Sequence, residues 1–280
     1  MASEKKKRIP LFKLLVLTVA LAVFVYSGGK LLHYYLDNRS SIKEQQTVID
    51  QAVVVVPQQP QATQPNQSVE APEEGTVPTE AALETVPIYV DFETLQAQNP
   101  DIVAWIYCPD SRIHYPVVQG ESNQEYLDRS HTGEYNPNGA IFLDFRNLPD
   151  LSDFNNIIYG HNMGNGSMFG MLKGYTNPDY YKEHPTMWLL TPDKAFRLDL
   201  ITGFVTPSDS ETYEVFSYIE DLHERLAYSL PLSTFDAGEV DISQISQIVT
   251  LSTCSYEYAT ARYVVIGNMV EVAYPEPPAE

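Results

Sequence analysis

The chain has 280 residues, of which 37 are Asp or Glu and 17 are Lys or Arg, so its formal net charge is −20. Six of the basic residues lie in the first thirty positions, and the remainder of the chain is therefore strongly acidic. This charge argues against a nucleic-acid partner, which would need basic stripes. Two cysteines are too few for a disulfide-built fold, and we do not expect a lone bridge between them.

The N-terminal segment predicts a membrane anchor. Basic residues crowd positions 5–8, and residues 9–29 follow as an apolar run that is interrupted only by Lys13. As a helix, this run would span about 31 Å, enough to cross the hydrocarbon core. The positive-inside tendency places residues 1–8 in the cytoplasm and the rest of the chain outside. A cleaved signal peptide is the alternative, but the apolar run is long and its end is a poor cleavage site.

Residues 30–87 are predicted to be a juxtamembrane helix followed by a spacer rich in Pro, Gln and Glu. Such a composition cannot bury enough apolar surface to offset its ordering entropy. The stretch AVVVVP inside it resembles a strand, but it is isolated and is left outside the predicted fold. A globular domain is expected over residues 88–274, with a short tail at 275–280.

The globular part predicts many strands and few helices. Asp91 is a plausible N-cap for a short helix, and Ser122 and Glu125 have the spacing of a capping box for a second one. A third helix is predicted near residues 217–229, with Ile219, Leu222 and Leu226 on one face. The stretch IVAWIYCPDSRIHYPVVQG is β-rich with a Pro-Asp turn inside it, and the further strand candidates are GAIFLDF, NNIIYGH, TMWLLT, AFRLDLITGFVT, SQIVTLSTC and ARYVVIGNMVEVAY. This pattern favours a closed or nearly closed β-barrel with helical insertions.

Cys254 ends one strand candidate, and Arg262 opens the next. If the two strands pair as antiparallel neighbours, the thiol and the guanidinium face each other across the loop mouth. A thiolate is the attacking form of cysteine, and a nearby cation can stabilise the oxyanion that forms on a carbonyl. A buried structural cysteine beside a surface arginine is the alternative from these two residues alone.

One of six histidines is the best candidate for a base. His161 lies where an apolar strand breaks into the glycine-rich loop of NNIIYGHNMGNGSMFG, a position at which an exposed side chain meets a rigid scaffold. The other histidines lie beside the anchor, on the amphipathic helix, on a strand face or in polar loops. A plain loop residue is the alternative for His161.

The segments YGHNM and GSMFGMLKGY, together with TLSTCSYEYATARYVV, resemble the sortases, the cysteine transpeptidases of Gram-positive cell surfaces. WIYCPDSRIHYPVVQGESNQEYL and GAIFLDFRN resemble class B members, and the likeness covers about residues 88–274. It implies a mainly β fold: a sortase-type closed barrel of about eight strands, with short N-terminal helices and a helix inserted before the strand that leads to the cysteine.

The resemblance also implies roles for individual residues. Cys254 would be the nucleophile, His161 the acid and base, and Arg262 the group that holds the substrate and the oxyanion. Asn123, Leu127 and Ser252 lie where class B enzymes contact the sorting peptide. No metal or cofactor is expected, and Cys108 is interpreted as a small buried hydrophobe. Residues 256–258, which follow the nucleophile, either pack the loop or form a wall of the peptide groove.

The expected activity is that of a membrane-anchored cysteine peptidase and transpeptidase. It would cleave a C-terminal sorting motif of the Asn-Pro-x-Thr or Leu-Pro-x-Thr type after its threonine. It would then pass the secreted protein to an amine of the cell wall or of the peptidoglycan precursor. A pilus-assembling sortase that uses a Lys amine is the nearest alternative. A catalytically degenerate surface module is an alternative of another class, and an L,D-transpeptidase is disfavoured because LSTCSYE lacks the His-Gly-Cys cluster.

Overall fold

The computed structural model describes residues 11–56 and 86–277, and the chain divides into two compact units at Glu44 and Gln45. The predicted cytoplasmic segment 1–8, the first two residues of the anchor, most of the linker and the last three residues of the tail lie outside the described residues.

A single helix, α1, runs from Leu11 to Ala52 and joins the predicted anchor to its predicted helical continuation. The apolar side chains that the structure describes between positions 12 and 36 are largely exposed, as expected for a helix that has lipid around it. Within residues 11–56 and 86–277, α1 is the one helix that is long and apolar enough to cross a membrane. This fits the predicted anchor by length and composition.

The AVVVVP stretch belongs to the fold, contrary to the interpretation from sequence. Strand β1 (Val53–Val55) pairs antiparallel with β2 (Ile88–Val90), with Val54 opposite Tyr89. Val48 and Ala52 of the preceding helical turn are each 2% exposed and lie in the same apolar cluster as β2. The sequence could not reveal this pairing because more than thirty residues of polar spacer separate the two strands.

Eight further strands close into a barrel in the order β10-β8-β7-β3-β4-β5-β6-β9. They are β3 (Ile102–Tyr107), β4 (His114–Val118), β5 (Ile141–Leu143), β6 (Asn155–Tyr159), β7 (Thr186–Leu190), β8 (Ala195–Pro207), β9 (Ile248–Cys254) and β10 (Ala261–Val272). Most neighbours are antiparallel, but β4 pairs with β5 and β6 with β9 in parallel. The predicted mainly β fold with an eight-stranded closed barrel is confirmed.

Three further helices lie between the strands in chain order. Helix α2 (Phe92–Gln98) begins as predicted, since the Asp91 carboxylate accepts a 3.0 Å hydrogen bond from the Thr94 backbone N–H. A short α3 (Pro178–Glu183) precedes β7. Helix α4 (Ile219–Ser229) lies before β9, and its Leu222 and Leu226 are fully buried. Short 3₁₀ turns occupy Gly170–Thr176, Glu211–Tyr213, Leu230–Leu232 and Ile242–Gln244.

The helix predicted from Ser122 and Glu125 does not form, and the segment is a series of turns. In a capping box, the glutamate side chain would return to the backbone N–H of the serine. Here the Glu125 carboxylate accepts from the N–H of Glu121 instead, at 3.0 Å. Backbone bonds from Glu125 to the Ser122 carbonyl and from Leu127 to the Gln124 carbonyl then close short turns. These bonds replace the predicted capping box, and the segment remains a loop at the barrel edge.

Three apolar clusters hold the domain together. The largest fills the barrel interior, as Ile106, Leu189, Leu198 and Leu251 exemplify. The second joins β1, β2 and α2 to the outside of the barrel, and the third lies under α4. Because β6 and β9 run parallel and side by side, their carboxyl ends emerge at the same edge. The functional residues are found at this edge.

Candidate active site

Cys254 and Arg262 are direct cross-strand partners in the β9–β10 hairpin. Cys254 is the last residue of β9, Arg262 is the second residue of β10, and both are partly buried. Directly opposed residues of antiparallel strands bring their Cβ atoms to within about 5.5 Å. The two residues therefore face each other across the loop mouth, as the antiparallel pairing predicts, and one nitrogen of the guanidinium, Nη1, donates to the Ala261 carbonyl at 3.0 Å.

His161 reaches the same edge from the neighbouring strand. Tyr159, at the end of β6, is in register with Ser252 of β9, so the two residues that follow each of them continue side by side. The Gly160 N–H donates to the Ser252 carbonyl at 3.1 Å, and the Thr253 hydroxyl donates to the Gly160 carbonyl at 2.8 Å. These bonds extend the strand pairing to the residue before His161 and the residue before Cys254.

A side-chain bond continues this connection past the strands. The Asn162 amide donates to the Cys254 carbonyl at 2.7 Å. The backbone on both sides of His161 is thus tied to the segment that carries the nucleophile candidate. The imidazole and the thiol consequently belong to one rigid edge of the barrel.

The orientation of the imidazole is set by the loop that precedes β5. Its Nε2 lies 2.8 Å from the backbone carbonyl oxygen of Leu127. A carbonyl oxygen only accepts, so Nε2 carries a hydrogen and the neutral ring keeps Nδ1 as its free base. Gly139 approaches the same place, since a Cβ built on it would lie 2.7 Å from the Leu127 oxygen and 2.9 Å from the His161 Cδ2 atom.

An open cleft of about 330 Å³ covers this edge and brings all six predicted site residues together. Its lining includes Cys254, His161, Arg262, Asn123, Leu127 and Ser252. The residues that line it beside these six are Gln124, Phe142, Tyr159, Gly160, Ser208, Tyr213 and Thr253. None of these thirteen is acidic. The lining therefore offers an uncharged polar and aromatic surface with one permanent cation, which suits a neutral peptide segment.

The three residues expected to contact peptide differ in how they are held. Leu127 is 42% exposed, so its side chain is available for an apolar contact. The Ser252 side chain is buried, and its hydroxyl shares a 2.8 Å hydrogen bond with the Tyr213 hydroxyl. The Asn123 side-chain amide is held by two hydrogen bonds, because its nitrogen donates to the Asp144 carboxylate and its oxygen accepts from the Phe145 N–H.

Sequence reasoning missed the aromatic side of the cleft. Tyr159 and Tyr213 stack with ring centroids 6.0 Å apart, and Phe142 lies 5.2 Å from Tyr159. Burial raises the pKa of Tyr213 to about 12, so its hydroxyl stays protonated at neutral pH. Tyr159 ends the very strand that precedes His161, which was a usable signal. Tyr213 comes from a distant connection and gave none.

The second cysteine is not part of the site. Cys108 is 1% exposed, burial raises the pKa of its thiol, and both cysteines are free. Its interpretation as a small buried hydrophobe is confirmed. The thiol that is accessible at the cleft is that of Cys254.

The segment after the nucleophile candidate contacts its own loop and one neighbouring lysine. Tyr256 is 75% exposed, with the Lys173 amino group 5.6 Å from its ring centroid. The Glu257 carboxylate accepts from the Ser255 hydroxyl, a bond that lowers the pKa of Glu257. These contacts favour loop packing over a wall of the groove. The expected absence of a metal or cofactor stays a prediction.

Comparisons with known proteins agree with this geometry. A family model described as "Sortase domain" matches residues 106–270. A sortase B of Listeria monocytogenes is 30% identical over 262 residues, which are 90% of this chain and 94% of the relative. The Staphylococcus aureus sortase B–substrate complex has a TM-score of 0.60 at 30% identity and covers 65% of this chain and 86% of its own. Sortase B from Bacillus anthracis, in complex with AAEK1, has a TM-score of 0.63 at 29% identity, with coverages of 85% and 98%.

The chain therefore belongs to the sortase family, whose members are cysteine transpeptidases. Its relatives and structural neighbours are class B sortases, and the inserted helix α4 before β9 has the position expected for that class. Within the family, the protein is a class B sortase.

Proposed function

We propose that this transpeptidase is membrane-anchored and joins secreted proteins to the cell wall. It recognises a C-terminal sorting motif of the Asn-Pro-x-Thr or Leu-Pro-x-Thr type and cleaves it after threonine. The acyl group then passes to an amine of the wall or of the peptidoglycan precursor. The observation that carries this proposal is the meeting of Cys254, His161 and Arg262 in one cleft that holds no acidic lining residue.

Cys254 serves as the nucleophile in the first half of the reaction. Its sulfur attacks the threonine carbonyl carbon, and the bond to the following residue breaks. At rest, the thiol and the imidazole share one proton. His161 delivers this proton to the departing amine. A thioester on Cys254 remains. In the second half, the incoming amine gives a proton to His161, attacks the thioester carbon and releases the sulfur.

Arg262 stabilises the negative charge that develops on the threonine carbonyl oxygen. Arg262 is the cross-strand partner of Cys254 and lines the same cleft, which supports a role for its planar, permanently charged guanidinium at an oxyanion on the carbon that the sulfur attacks. Preorganised donors of this kind contribute a hundredfold to a thousandfold, in order of magnitude, to kcat. Asn123, Leu127 and Ser252 bind the peptide upstream of the scissile bond.

The anchor places the enzyme beside its substrates. Residues 9–29 form a single membrane span with the N-terminus in the cytoplasm and the catalytic domain outside the cell membrane. The apolar first half of α1 supports this arrangement. The polar linker gives the domain reach over a surface on which both substrates are tethered.

The test incubates the full chain in detergent with two peptide libraries, one for each motif type, and with amine acceptors. Acceptors that mimic the wall precursor compete with a peptide that carries an exposed Lys amine, as in pilus assembly. Mass spectrometry of the trapped acyl-enzyme reports the motif and the modified residue together. We expect the acyl group on Cys254, and we expect transfer to the wall-type amine.

Two variants control this experiment. Cys254→Ala should form no acyl-enzyme, whereas Cys108→Ala should form it normally, because Cys108 is buried in the core. Absence of cleavage of either motif by the wild type would refute the proposal. Preferential transfer to the Lys peptide would favour the pilus-assembling alternative.

A further inference from the structure

Asp144 is a fully buried carboxylate that lies one hydrogen bond away from the cleft. It follows β5 directly, its exposed fraction is 0%, and it is not among the residues that line the cleft. Its Oδ1 accepts from the backbone N–H of Arg146 at 3.0 Å and from the Arg146 Nε at 2.8 Å. Its Oδ2 accepts from Asn123 at 3.0 Å, from Tyr159 at 2.9 Å and from the Arg146 Nη2 at 2.7 Å.

The charge of this group dictates the direction of all these bonds. Burial by itself raises the pKa of Asp144, but the hydrogen bonds from Arg146, Asn123 and Tyr159 outweigh it and hold the pKa below its usual value. An ionised carboxylate has no hydrogen to donate, so every partner must donate to it. Such charge-assisted bonds are about twice as strong as neutral ones.

Two of the partners line the cleft, and their orientation follows from these bonds. The Asn123 amide must turn its nitrogen to Asp144, and its oxygen correspondingly accepts from the Phe145 N–H at 3.0 Å. If the Asn123 amide were flipped, its oxygen would face the Asp144 carboxylate and its NH₂ group would face the Phe145 N–H, and neither pair can form a hydrogen bond. Asn123 still has one N–H and one lone pair available, and these are groups with which a peptide can pair. Tyr159 has its hydroxyl hydrogen committed to Asp144 in the same way.

Arg146 carries the connection to the other side of the cleft. Its Nη2 also donates to the Tyr213 backbone carbonyl at 2.9 Å. The Tyr213 ring stacks on Tyr159, and its hydroxyl shares a hydrogen bond with Ser252. One buried carboxylate thus ties together the loop of Asn123, the end of β6 and the 3₁₀ turn that carries Tyr213.

We infer that Asp144 is a positioning residue for peptide recognition, acting through Asn123 and Tyr159 to set the affinity of the cleft for the sorting peptide. This inference rests on the proposed function, because it assigns a role within the same cleft. Asp144 makes no contact with Cys254 or His161 among the described hydrogen bonds. Its removal should therefore weaken binding and leave the chemistry of the thiol intact.

The test is Asp144→Asn in the full chain, assayed with a fluorogenic sorting peptide that the wild type cleaves. An asparagine has one acceptor oxygen and no charge. If this oxygen takes the Oδ1 position, Asn123 and Tyr159 lose their acceptor, and if it takes the Oδ2 position, the new NH₂ group opposes the N–H groups of Arg146 and the bonds from Asn123 and Tyr159 lose their charge assistance. We expect KM to rise about tenfold, the ratio typical of one lost charge-assisted hydrogen bond, with kcat within about threefold. Alkylation of Cys254 by iodoacetamide, which needs no peptide, should proceed at the wild-type rate.

A matched control is Asp199→Asn on β8. Asp199 accepts from the Nε and Nη2 of Arg197 at 2.7 and 2.9 Å, the same two-residue spacing and paired geometry, but it lies outside the cleft lining. This variant should leave KM unchanged. A general loss of an Arg–Asp pair is thereby separated from the specific effect at Asp144.

Tyr159→Phe keeps the test decisive if Asp144→Asn does not fold. It removes only the hydroxyl that donates to Asp144, and we expect KM to rise about threefold, with the ring stacking on Tyr213 retained. Combined with Asp144→Asn, it should add little, because both variants break the same connection. A normal KM in Tyr159→Phe, or in a folded Asp144→Asn with only a lower melting temperature, would overturn the inference. A wild type that cleaves no sorting peptide would instead overturn the proposed function.

Discussion

The His161 imidazole donates a 2.8 Å hydrogen bond from Nε2 to the backbone carbonyl of Leu127. The residue proposed as acid and base is thereby oriented by a residue proposed to contact the substrate. Binding of a peptide against Leu127 and positioning of the imidazole are consequently coupled through one loop. Nδ1 is the nitrogen that remains for proton transfer with the thiol or the amine.

The tautomer of His161 is directly measurable. We expect the neutral ring to carry its hydrogen on Nε2, because the Leu127 oxygen can only accept. Long-range ¹H–¹⁵N spectra of histidine-labelled protein distinguish the two nitrogens, and His161→Gln assigns the signal. A ring protonated on Nδ1 in the neutral form would contradict the hydrogen-bond assignment.

Arg262→Lys should keep the positive charge at the barrel edge and lose most of the activity. A lysine ammonium lacks the planar fork that can hold both an oxyanion and a peptide carbonyl. We expect kcat/KM for sorting-peptide cleavage to fall about a hundredfold to a thousandfold, mainly in kcat. Thiol alkylation and the melting temperature provide the controls. Activity within a few-fold of the wild type would show that charge alone suffices and that the geometry of the guanidinium does not matter.

Gly139→Ala should damage the site through His161. Gly139 has φ of +62°, and its added Cβ would lie within 3 Å of the backbone oxygens of Tyr126 and Leu127 and of the imidazole. Backbone oxygens cannot move aside cheaply, so the Leu127–His161 bond is displaced. We expect a loss of unfolding free energy above the roughly 1–2 kcal/mol of a left-handed alanine, together with a large fall in kcat.

Gly133→Ala is the matched control for this substitution. Gly133 has φ of +84° and open space around the position of the added Cβ. It should show the backbone strain alone, as a modest drop in melting temperature, with kcat unchanged. Equal kcat in the two variants would contradict the role of Gly139 at His161.

The partly buried His114 should make stability depend on pH below neutrality. Burial lowers the pKa of His114 from 6.5 to about 4, and its Nε2 has no hydrogen-bond partner. The unfolded chain takes up a proton near pH 6.5 that the folded protein takes up only near pH 4. The contribution of His114 to the free energy of unfolding therefore falls as pH drops through this window, by up to about 3 kcal/mol, and is constant below it.

Urea denaturation at several pH values between 7 and 4 measures this effect. His114→Phe replaces the ring with one that does not titrate, and its stability relative to the wild type should improve as pH falls. A constant difference between the two proteins across the window would refute the prediction. The acid groups of the chain titrate in both proteins and cancel in the difference.

Sequence patterns predicted the structure correctly where the residues within a segment determine its conformation. The N-cap at Asp91, the buried face of α4 and the strands that became β3 to β10 all followed from periodicity and turn residues. The capping-box pattern at Ser122 and Glu125 was misleading, because Glu125 found a partner one residue earlier and the chain turned instead. The strand at Val53–Val55 was missed because its partner lies beyond the spacer.

The sequence by itself determined the strand-rich barrel class and the family, together with the three residues that motifs single out, Cys254, His161 and Arg262. These are properties of short, contiguous stretches, in which neighbouring residues decide the outcome. Only the tertiary structure decided that Asp144 lies behind Asn123, that Tyr213 stacks on Tyr159, and that Gly139 abuts the imidazole. Each of these joins residues between 21 and 54 positions apart. Such contacts form only when the closed barrel brings distant loops to one edge. The interactions between neighbouring residues, from which a sequence pattern is interpreted, do not determine which distant loops will meet.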